Sequence, residues 1–381
     1  MTTPPFNSIA DAPLTPRRSR LEESWRLLKK NKLALAGFFI FVLFFLIALT
    51  GVWLTSGTKP IIDPSLVRLP EKLRPPFSIP ITEVLRPAEI PALGIYLFGT
   101  DELGRDVFAR MLQGAWVSLT VGFVAVGISV LVGIVMGGLS GYYGERPISL
   151  RHVLTAFFLL IGIGFLSAGD FTVATILCFI SVALVALSKN KTIRRYPWIR
   201  SLFAGTFSVD TLIMRFVDIM LCFPSFFLIL TVVALLPPSI YNIMIVIGLT
   251  SWEGTARFVR AEFLSLREQD FVTAARALGV SDLRIIFRHM IPNAIAPVLV
   301  SATIGIAGAI LTEAGLSFLG FGVPPPHATW GNILSDGKRF IFDAPWLTFV
   351  PGFAILIVVL SFNLFGEGLR DIFNPKLRER Y

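Results

Sequence analysis

Long stretches of this chain contain no charged residue, and their lengths set the first expectation about the fold. These stretches occupy residues 33–58, 111–144, 219–252, 290–312 and 344–366. A bilayer's hydrocarbon core of about 30 Å is crossed by about 20 apolar residues in a helix, so each stretch is long enough. Pro237 and Pro238 divide the third stretch into two, because proline interrupts a helix. The pattern therefore predicts six long transmembrane helices.

Two shorter apolar runs, 153–169 and 171–188, are separated only by Asp170 and are followed and preceded by basic residues. They predict an inserted hairpin that turns at residues 167–170 and returns to the side on which it began. At about 1.5 Å per residue each run covers about 25 Å, which allows either a thin pair of spans or a partly re-entrant loop. We favour spanning. The apolar runs are continuous rather than alternating, which argues against a β-barrel.

The composition supports a membrane protein. Hydrophobic residues make up 54% of the chain and charged residues 15%, whereas about 25% of residues are charged in soluble domains. The first apolar run is too long for a signal peptide and is followed by no small-residue cleavage site, so we expect no removed leader. Cys178 and Cys222 lie in apolar runs and are expected to be packed as small hydrophobic residues. Neither the cysteines nor the three histidines show metal-binding spacing: His152, His289 and His327.

The net charge of +9 is distributed as it is in membrane proteins. If the N-terminus lies inside, 25 of the 34 Lys and Arg residues fall in inner segments, in agreement with the positive-inside rule. The chain is therefore expected to be a multi-pass membrane protein with both termini in the cytoplasm. A nucleic-acid partner is not expected.

These patterns divide the chain into segments. We expect a cytoplasmic tail (1–32), a first transmembrane helix (33–58), an external loop (59–110), a transmembrane domain (111–370) and a cytoplasmic tail (371–381). The domain contains the inserted hairpin with its basic loop, at about 146–207, and a cytoplasmic loop at about 253–292. Residues 21–32 are amphipathic and basic, so they either lie on the inner membrane surface or simply orient the first span. The external loop is expected to form an ordered cap. Glycines of the second span are expected to permit close helix packing.

A polar interruption, DFVTAARALGVSDLRIIFRHMIPN at 270–293, is the most informative segment. Two sets of apolar residues in it recur at helical spacing: Phe271, Ala274, Ala275 and Leu278, then Leu283, Ile286, Phe287 and Met290. Gly279 separates the sets and favours a helix end, and Ser281 or Asp282 can begin the next helix. The pattern predicts helix, glycine turn, helix on the cytoplasmic side. This segment either packs on the chain's own spans or contacts a partner.

Charged residues in or beside spans are further candidates. Arg215 and Asp218 stand three residues apart on one predicted helix and are expected to form an ion pair. Glu313 falls near the outer end of the fifth span, where it either faces the pathway or, as we favour, supports the following turn. The last candidate is an external turn, held by its own side-chain bonds or contacting another protein: Asp101, Arg105 and Asp106.

TAARALG followed by RHMIPN resembles the cytoplasmic loop of ABC importer permeases. That family pattern is Glu-Ala-Ala, three residues, Gly, nine residues, then hydrophobic-x-hydrophobic-Pro. The positions that match are Ala274, Ala275, Gly279, Ile291 and Pro292. Two positions depart, since Thr273 replaces the Glu and His289 stands where the pattern has an apolar residue. The stretches RLLKKNKLALAGFFIF, GTDELGRD, MRFVDIMLCFPSFFL and LSFLGFGVPPPHATWG resemble the dipeptide/oligopeptide/nickel group, especially its second (C-type) permease. The resemblance covers residues 25–145 and 208–378.

The resemblance implies an all-α polytopic fold with six core helices, here with the hairpin inserted, and a role as a permease subunit of an ATP-driven importer. It implies that the cytoplasmic loop docks on an ATPase subunit through Asp270, Thr273, Ala274, Ala275, Arg276, Gly279 and Pro292. The expected partners are a second homologous permease, two cytoplasmic ATPases, an external solute-binding protein and membrane lipid.

The chain itself is not expected to be an enzyme. It contains no G-x-x-x-x-G-K-[ST] loop, so ATP is expected to bind to partner subunits and no cofactor, metal or catalytic residue is expected here. Peptides are the favoured cargo, with nickel or another small solute as the alternative. An ion-driven secondary transporter or a membrane scaffold is a rival interpretation, although no internal repeat typical of such transporters is found.

Overall fold

The computed structural model describes residues 20–57, 60–144, 147–149 and 206–373, together with residues 155, 175–180 and 182. The first nineteen residues, the end of the C-terminal tail and most of the predicted hairpin, including its turn at 167–170, lie outside the described residues.

Helices form most of the described chain, and the long loop at residues 60–106 separates the second helix from the third. Its helices are α1 (Arg20–Lys30), α2 (Lys32–Thr55), α3 (Val107–Tyr143), α4 (Val209–Cys222), α5 (Ser225–Leu235), α6 (Ile240–Leu249), α7 (Glu253–Arg267), α8 (Asp270–Ala277), α9 (Asp282–Phe318), α10 (Trp330–Gly337) and α11 (Trp346–Phe373). Two short strands, β1 (Pro147–Ser149) and β2 (Thr206–Ser208), pair antiparallel. Within the described residues, four helices are long and apolar enough to cross a membrane: α2, α3, α9 and α11.

The region predicted as two spans, residues 219–252, is arranged differently. α4 begins at Val209 and ends at Cys222, because Pro224 holds the preceding Phe223 in an extended conformation. α5 then leaves at an angle of 84°, and α6 has only 10 residues. α4 and α5 together are long enough for a fifth span, whereas α6 alone is not. The expected count of six long spans is therefore not confirmed by the described residues.

α3 lies at the centre of the bundle, and its glycines bring α7 close. A Cβ atom at Gly133 would lie 2.7 Å from Cβ of Thr255, and one at Gly141 would lie 2.5 Å from Cβ of Phe263. Side chains at these positions would force the helices apart, so the glycines act in packing, as the sequence predicts. Gly127 differs, since a Cβ there would meet no atom within 4 Å.

The main core joins α3, α6, α9 and α11 through buried aliphatic residues such as Val121, Ile247, Ile310 and Val358. α2 covers one side of this core and exposes large apolar residues such as Leu43 and Trp53 on its outer face. Such a face suits lipid. α1 is a helix as well, and its Leu28 packs with Ala34 and Ile372 where α2 begins and α11 ends.

Two expectations about individual side chains need correction or extension. Cys178 and Cys222 are free thiols on exposed positions, so the expected packing as buried hydrophobic residues is wrong. Cys222 is exposed because it ends α4 at the break before Pro224. In the loop at 60–106, which is predicted to be external, Glu71 is completely buried and pairs with Arg74 at 3.1 Å. The sequence pattern did not indicate this buried charged pair.

Candidate functional site

The polar segment at 253–292 forms α7, α8, a glycine turn and the start of α9. α7 is amphipathic and buries Val259 and Phe263 against α3. α8 follows after a short break and buries Val272 and Ala275 in the same cluster. The cluster also contains Tyr142 at the end of α3. The short helix is therefore attached directly to a membrane-spanning helix.

α8 ends as the sequence predicts. Gly279 has φ +72°, a left-handed conformation that L side chains rarely adopt. Its N–H donates to the carbonyl of Arg276 at 3.0 Å, and the N–H of Val280 donates to the carbonyl of Ala275 at 3.1 Å. These two bonds form a Schellman motif, which satisfies the last carbonyls of α8 and fixes the direction of the turn. Ser281 begins the next helix without a side-chain capping bond.

Most of the predicted apolar face of this segment is not buried inside the chain. Of the first set only Ala275 is buried, whereas Phe271 is 39% exposed and Leu278 is 84% exposed. In the second set Ile286 and Met290 are buried, but Leu283 and Phe287 are exposed. α8 therefore packs on the chain's own core through a narrow face that includes Ala275. Its second, apolar face, with Phe271 and Leu278, remains exposed.

A polar contact reinforces the attachment of α8 to α3. The Tyr142 hydroxyl donates to Oδ1 of Asp282 at 2.7 Å, and the Arg276 guanidinium lies 4.9 Å from the centre of the Tyr142 ring. A guanidinium at this distance from an aromatic face is attracted by the ring. Tyr142 thus links the end of α3 to both helices beside the glycine turn. No local pattern indicates this role, because Tyr142 is 140 residues from Asp282.

Thr273, which stands where the family pattern has Glu, is exposed, and its hydroxyl donates to the Asp270 carbonyl at 2.9 Å. His289 lies in a π-helical turn, Ile285–Met290, and is half-buried. Pro292 is exposed at the second residue after that turn. Neither departure from the pattern disturbs the helix–turn–helix geometry.

Two ion pairs tie α7 to α4. Arg260 binds Asp210 through both Nε and NH2, with NH2 at 2.5 Å from Oδ2, and these bonds raise the pKa of the Arg260 guanidinium above its usual value. Arg257 NH2 lies 2.7 Å from Oδ1 of Asp218. The predicted Arg215–Asp218 pair also exists, but its 3.7 Å separation is longer. The shorter contact of Asp218 is therefore with Arg257 of α7 rather than with Arg215 of its own helix.

Comparisons with known proteins now decide the family. Residues 201–379 match the model of the binding-protein-dependent transport system inner membrane component, and residues 19–76 match the N-terminal transmembrane domain of oligopeptide transport permease C. A dipeptide transport system permease protein of Alkalihalophilus pseudofirmus is 36% identical over 93% of this chain and 90% of its own length. The chain belongs to this permease family.

Other relatives are similar to this permease along nearly its whole length. An oligopeptide transport system permease protein of Bacillus subtilis is 31% identical over 92% of this chain and 88% of its own length. A dipeptide transport system permease protein of Haemophilus influenzae is 31% identical over 97% of this chain and 100% of its own length. The permease is thus a multi-pass inner-membrane component of a binding-protein-dependent ABC importer. ATPase activity lies in separate subunits, and the family implies ATPase and solute-binding partners.

The predicted external turn of the permease is held by its own side chains. Asp101 Oδ1 accepts from the N–H groups of Leu103 and Arg105, both at 2.9 Å. Asp101 Oδ2 accepts from Arg105 Nε and from Arg110 NH1, both at 2.6 Å. Arg110 also bonds Asp336 of α10 at 2.9 Å, so the turn is connected to a distant helix.

Asp106 has a different role in that turn. Its side chain caps α3 by accepting from the Phe108 N–H at 2.9 Å. Burial raises the pKa of the Asp106 carboxyl from 3.8 to about 6, although the cap bond opposes this shift. Arg105 and Asp101 form an ion pair, whereas Asp106 forms no such pair among the described residues.

Glu313 is completely buried inside the bundle. It accepts from the hydroxyl of Ser317 at 2.7 Å and from that of Ser118 at 3.4 Å. Ser118 Oγ in turn accepts from the Trp330 N–H at 3.3 Å. These contacts connect α3, α9 and the start of α10, the arrangement expected of a residue that supports the turn after α9. Among the described residues no group of three His, Cys, Asp or Glu side chains is placed to hold a metal ion.

Proposed function

We propose that this permease forms half of the translocation pathway of an ATP-driven peptide importer. The relatives with dipeptide and oligopeptide transport names support peptides as the cargo, and nickel is not favoured by them. In this proposal a second homologous permease completes the pathway, two ATPase subunits lie on the cytoplasmic side, and a solute-binding protein delivers peptide from outside.

The exposed apolar face of α8 carries the proposal for coupling. Phe271 and Leu278 project from a short helix whose opposite face is fixed in the chain's own core. A partner that covers such a side chain gains about 1.5–3 kcal/mol for each large apolar group that it removes from water. An apolar groove on an ATPase subunit is therefore the expected partner of α8. The exposed residues within 270–279 would form the contact, whereas Val272 and Ala275 stay in the chain's own core.

The attachment of α8 explains how a docked ATPase would act on the membrane helices. Ala275 and Val272 share a packed cluster with α3, α7 and α9, and Tyr142 bonds Asp282 beside the turn. A rigid displacement of α8 would therefore be passed to three helices without a flexible link between them. ATP binding to the partners need only favour one of two arrangements of this bundle.

The sidedness of the molecule remains part of the proposal. The basic residues of α7 to α9 fall on the side that the charge distribution assigns to the cytoplasm, together with both termini. This orientation places α8 where an ATPase can reach it, and it places the Asp101 turn where an external binding protein arrives.

Co-purification tests the proposal. A tagged permease, gently solubilised from its own cells, is expected to bring down an ATPase subunit. Leu278→Glu should remove most of the bound ATPase, since a carboxylate in an apolar groove is strongly unfavourable. The fold should survive because Leu278 is already exposed. Phe342→Glu is the matched control, since Phe342 is 95% exposed and lies between α10 and α11.

The rival functions give other results. A secondary transporter or a scaffold would bring down no ATPase with the unmodified chain. Equal ATPase recovery with Leu278→Glu and with the unmodified chain would place the contact elsewhere on the permease and would reject α8 as the docking helix.

A further inference from the structure

A cleft of about 270 Å³ opens between α3, the start of α5, the end of α6, the start of α7 and one face of α9. Thirteen residues line it, and six of them carry hydroxyl groups: Ser129, Ser225, Ser251, Thr255, Ser301 and Thr312. The other lining residues are small or aliphatic, and no lining residue is ionisable. The cleft is thus polar but uncharged.

The hydroxyl groups of the cleft need polar surroundings, because the cleft lies between helices of a membrane protein. Within a bilayer, polar groups are tolerated where they contact protein or line a water-filled cavity, and they are unfavourable against lipid tails. Ser129 donates to the Ser251 carbonyl at 2.8 Å, which satisfies one of them. Ser225 and Ser251 are exposed residues, and their hydroxyls have no hydrogen-bond partner in the part of the chain that the structure describes. They remain available to water or to a passing solute.

Two glycines, Gly305 and Gly308, form part of the α9 wall of the cleft. Ser301, Gly305, Gly308 and Thr312 lie on one helical face that extends for about 16 Å, at about 1.5 Å per residue. A Cβ atom at Gly308 would meet no atom within 4 Å, so open space adjoins this glycine. A Cβ at Gly305 would be in ordinary contact with Val126 of α3, at 3.4 Å. Gly308 is therefore the glycine of this wall that helix packing does not explain, unlike Gly133 and Gly141 of α3.

The cleft is also connected to the proposed coupling segment. Ser251, Gly254 and Thr255 line it at the start of α7, the helix that leads to α8. The hydroxyls of Thr255 and Ser301 lie 3.3 Å apart and join α7 to the α9 wall. A displacement of α7 would therefore change the width of the cleft directly.

We propose that this cleft is the cargo-contacting wall of the pathway, and that it takes peptides by their backbone. Its free hydroxyls can bond the amide groups that all peptides share, and its lack of ionisable residues gives no preference for side-chain charge. This inference rests on the proposed function, since it names the surface of the permease that its cargo meets. A large side chain at position 308 would fill the open space beside Gly308, so the residue at this position sets how large a cargo the cleft admits.

A graded series at Gly308 tests the size limit in cells that make the complete importer. Uptake of labelled dialanine and pentaalanine is compared for Gly308→Ala and Gly308→Phe. The phenylalanine variant should lower pentaalanine uptake by about tenfold or more relative to dialanine, as expected when a group no longer fits an enclosed site. Gly308→Ala should transport both peptides.

Gly352→Phe is the matched control. A Cβ at Gly352 in α11 would also meet no atom within 4 Å, but Gly352 lies beside the exposed apolar residues Phe349 and Leu356. This variant should import both peptides normally. A charge series adds a result that altered folding would not produce: Gly308→Asp should favour trilysine over triglutamate, and Gly308→Lys should show the reverse preference.

The outcomes separate the two proposals. Peptide uptake by the unmodified importer, with unchanged size and charge preferences in every Gly308 variant, would overturn the cleft alone. Loss of the second permease from the purified Gly308→Phe complex, with no change in size preference, would make the cleft a subunit contact and would overturn it as well. An unmodified importer that takes up no peptide would reject the proposed function and this inference with it.

Discussion

Single residues differ in how far the sequence reveals their role. Gly279 was predictable because its signal is local: an apolar helix pattern stops at a glycine, and the glycine has φ +72°. Tyr142 and Asp210 were not, since their partners lie 140 and 50 residues away. A long-range hydrogen bond leaves no periodic pattern in the chain, so such residues are visible only once the helices are placed.

Asp106 provides a test of a single residue's electrostatics. Its folded pKa of about 6 lies above the ordinary 3.8, so the folded state binds more protons between these values. Its contribution to the free energy of unfolding therefore decreases as pH rises from about 4 to about 6, by up to about 1.4 kcal/mol per pH unit. Asp106→Asn keeps a capping oxygen without a charge to bury.

The measurement is the melting temperature of the detergent-solubilised permease and of Asp106→Asn at several pH values. The variant's melting temperature should rise relative to that of the unmodified chain as pH goes from 5 to 7. A difference between the two that stays constant over this range would show that burial does not perturb the Asp106 carboxyl.

Whole helices were predictable where one long apolar run forms one long helix. This was so for α2, α3, α9 and α11, which agree with their charge-free stretches to within about a turn or two at most ends. It was not so for residues 219–252, where two spans were expected. The helix does break at Pro237 and Pro238, as predicted, but it breaks at Pro224 as well. Hydropathy cannot show such a break, because the residues on both sides of it are equally apolar.

The packing of α4 against α7 can be tested at the two ion pairs that join these helices. Asp210 binds Arg260 through two nitrogens in a partly buried position, whereas Asp218 and Arg257 are about half-exposed. Asp210→Ala should lower the free energy of unfolding by about 1–3 kcal/mol, the usual cost of losing hydrogen bonds to a charged group. Asp218→Ala should cost about 1 kcal/mol or less.

A double-mutant cycle of thermal stability measures both pairs. Asp210→Ala combined with Arg260→Ala should be less destabilised than the sum of the single variants. Equal and additive effects at the two pairs would mean that the partly buried Asp210–Arg260 contact does not hold α7 against α4.

For the molecule as a whole, the sequence indicated the class and the family through composition, charge distribution and several motifs in order. The cleft was not predictable, because its six hydroxyl residues come from five separate elements whose arrangement no single stretch encodes. The hairpin at 153–188 stays a prediction, since nearly all of it lies outside the described residues.

Cysteine labelling tests the topology of the whole chain. Cys178 and Cys222 are replaced first, because both are exposed free thiols. With both hairpin flanks inside, Ser167→Cys should react with a membrane-impermeant reagent added from outside, and Asn190→Cys should react only from inside. Labelling of both positions from the inner side alone would mean that the hairpin is a re-entrant loop.

The role of α8 in coupling depends on the rigidity of its end, so the decisive measurement is peptide uptake and ATP hydrolysis by the complete importer with Gly279 replaced. Asn tolerates the left-handed conformation, whereas a β-branched residue at φ +72° costs about 1–2 kcal/mol and redirects the turn. Gly279→Asn should therefore import peptide. Gly279→Val, and likewise Ala275→Phe in the packed cluster, should insert in the membrane but lose uptake and peptide-stimulated hydrolysis. Uptake by Gly279→Val and Ala275→Phe at the rate of the unmodified importer would contradict the coupling role of α8.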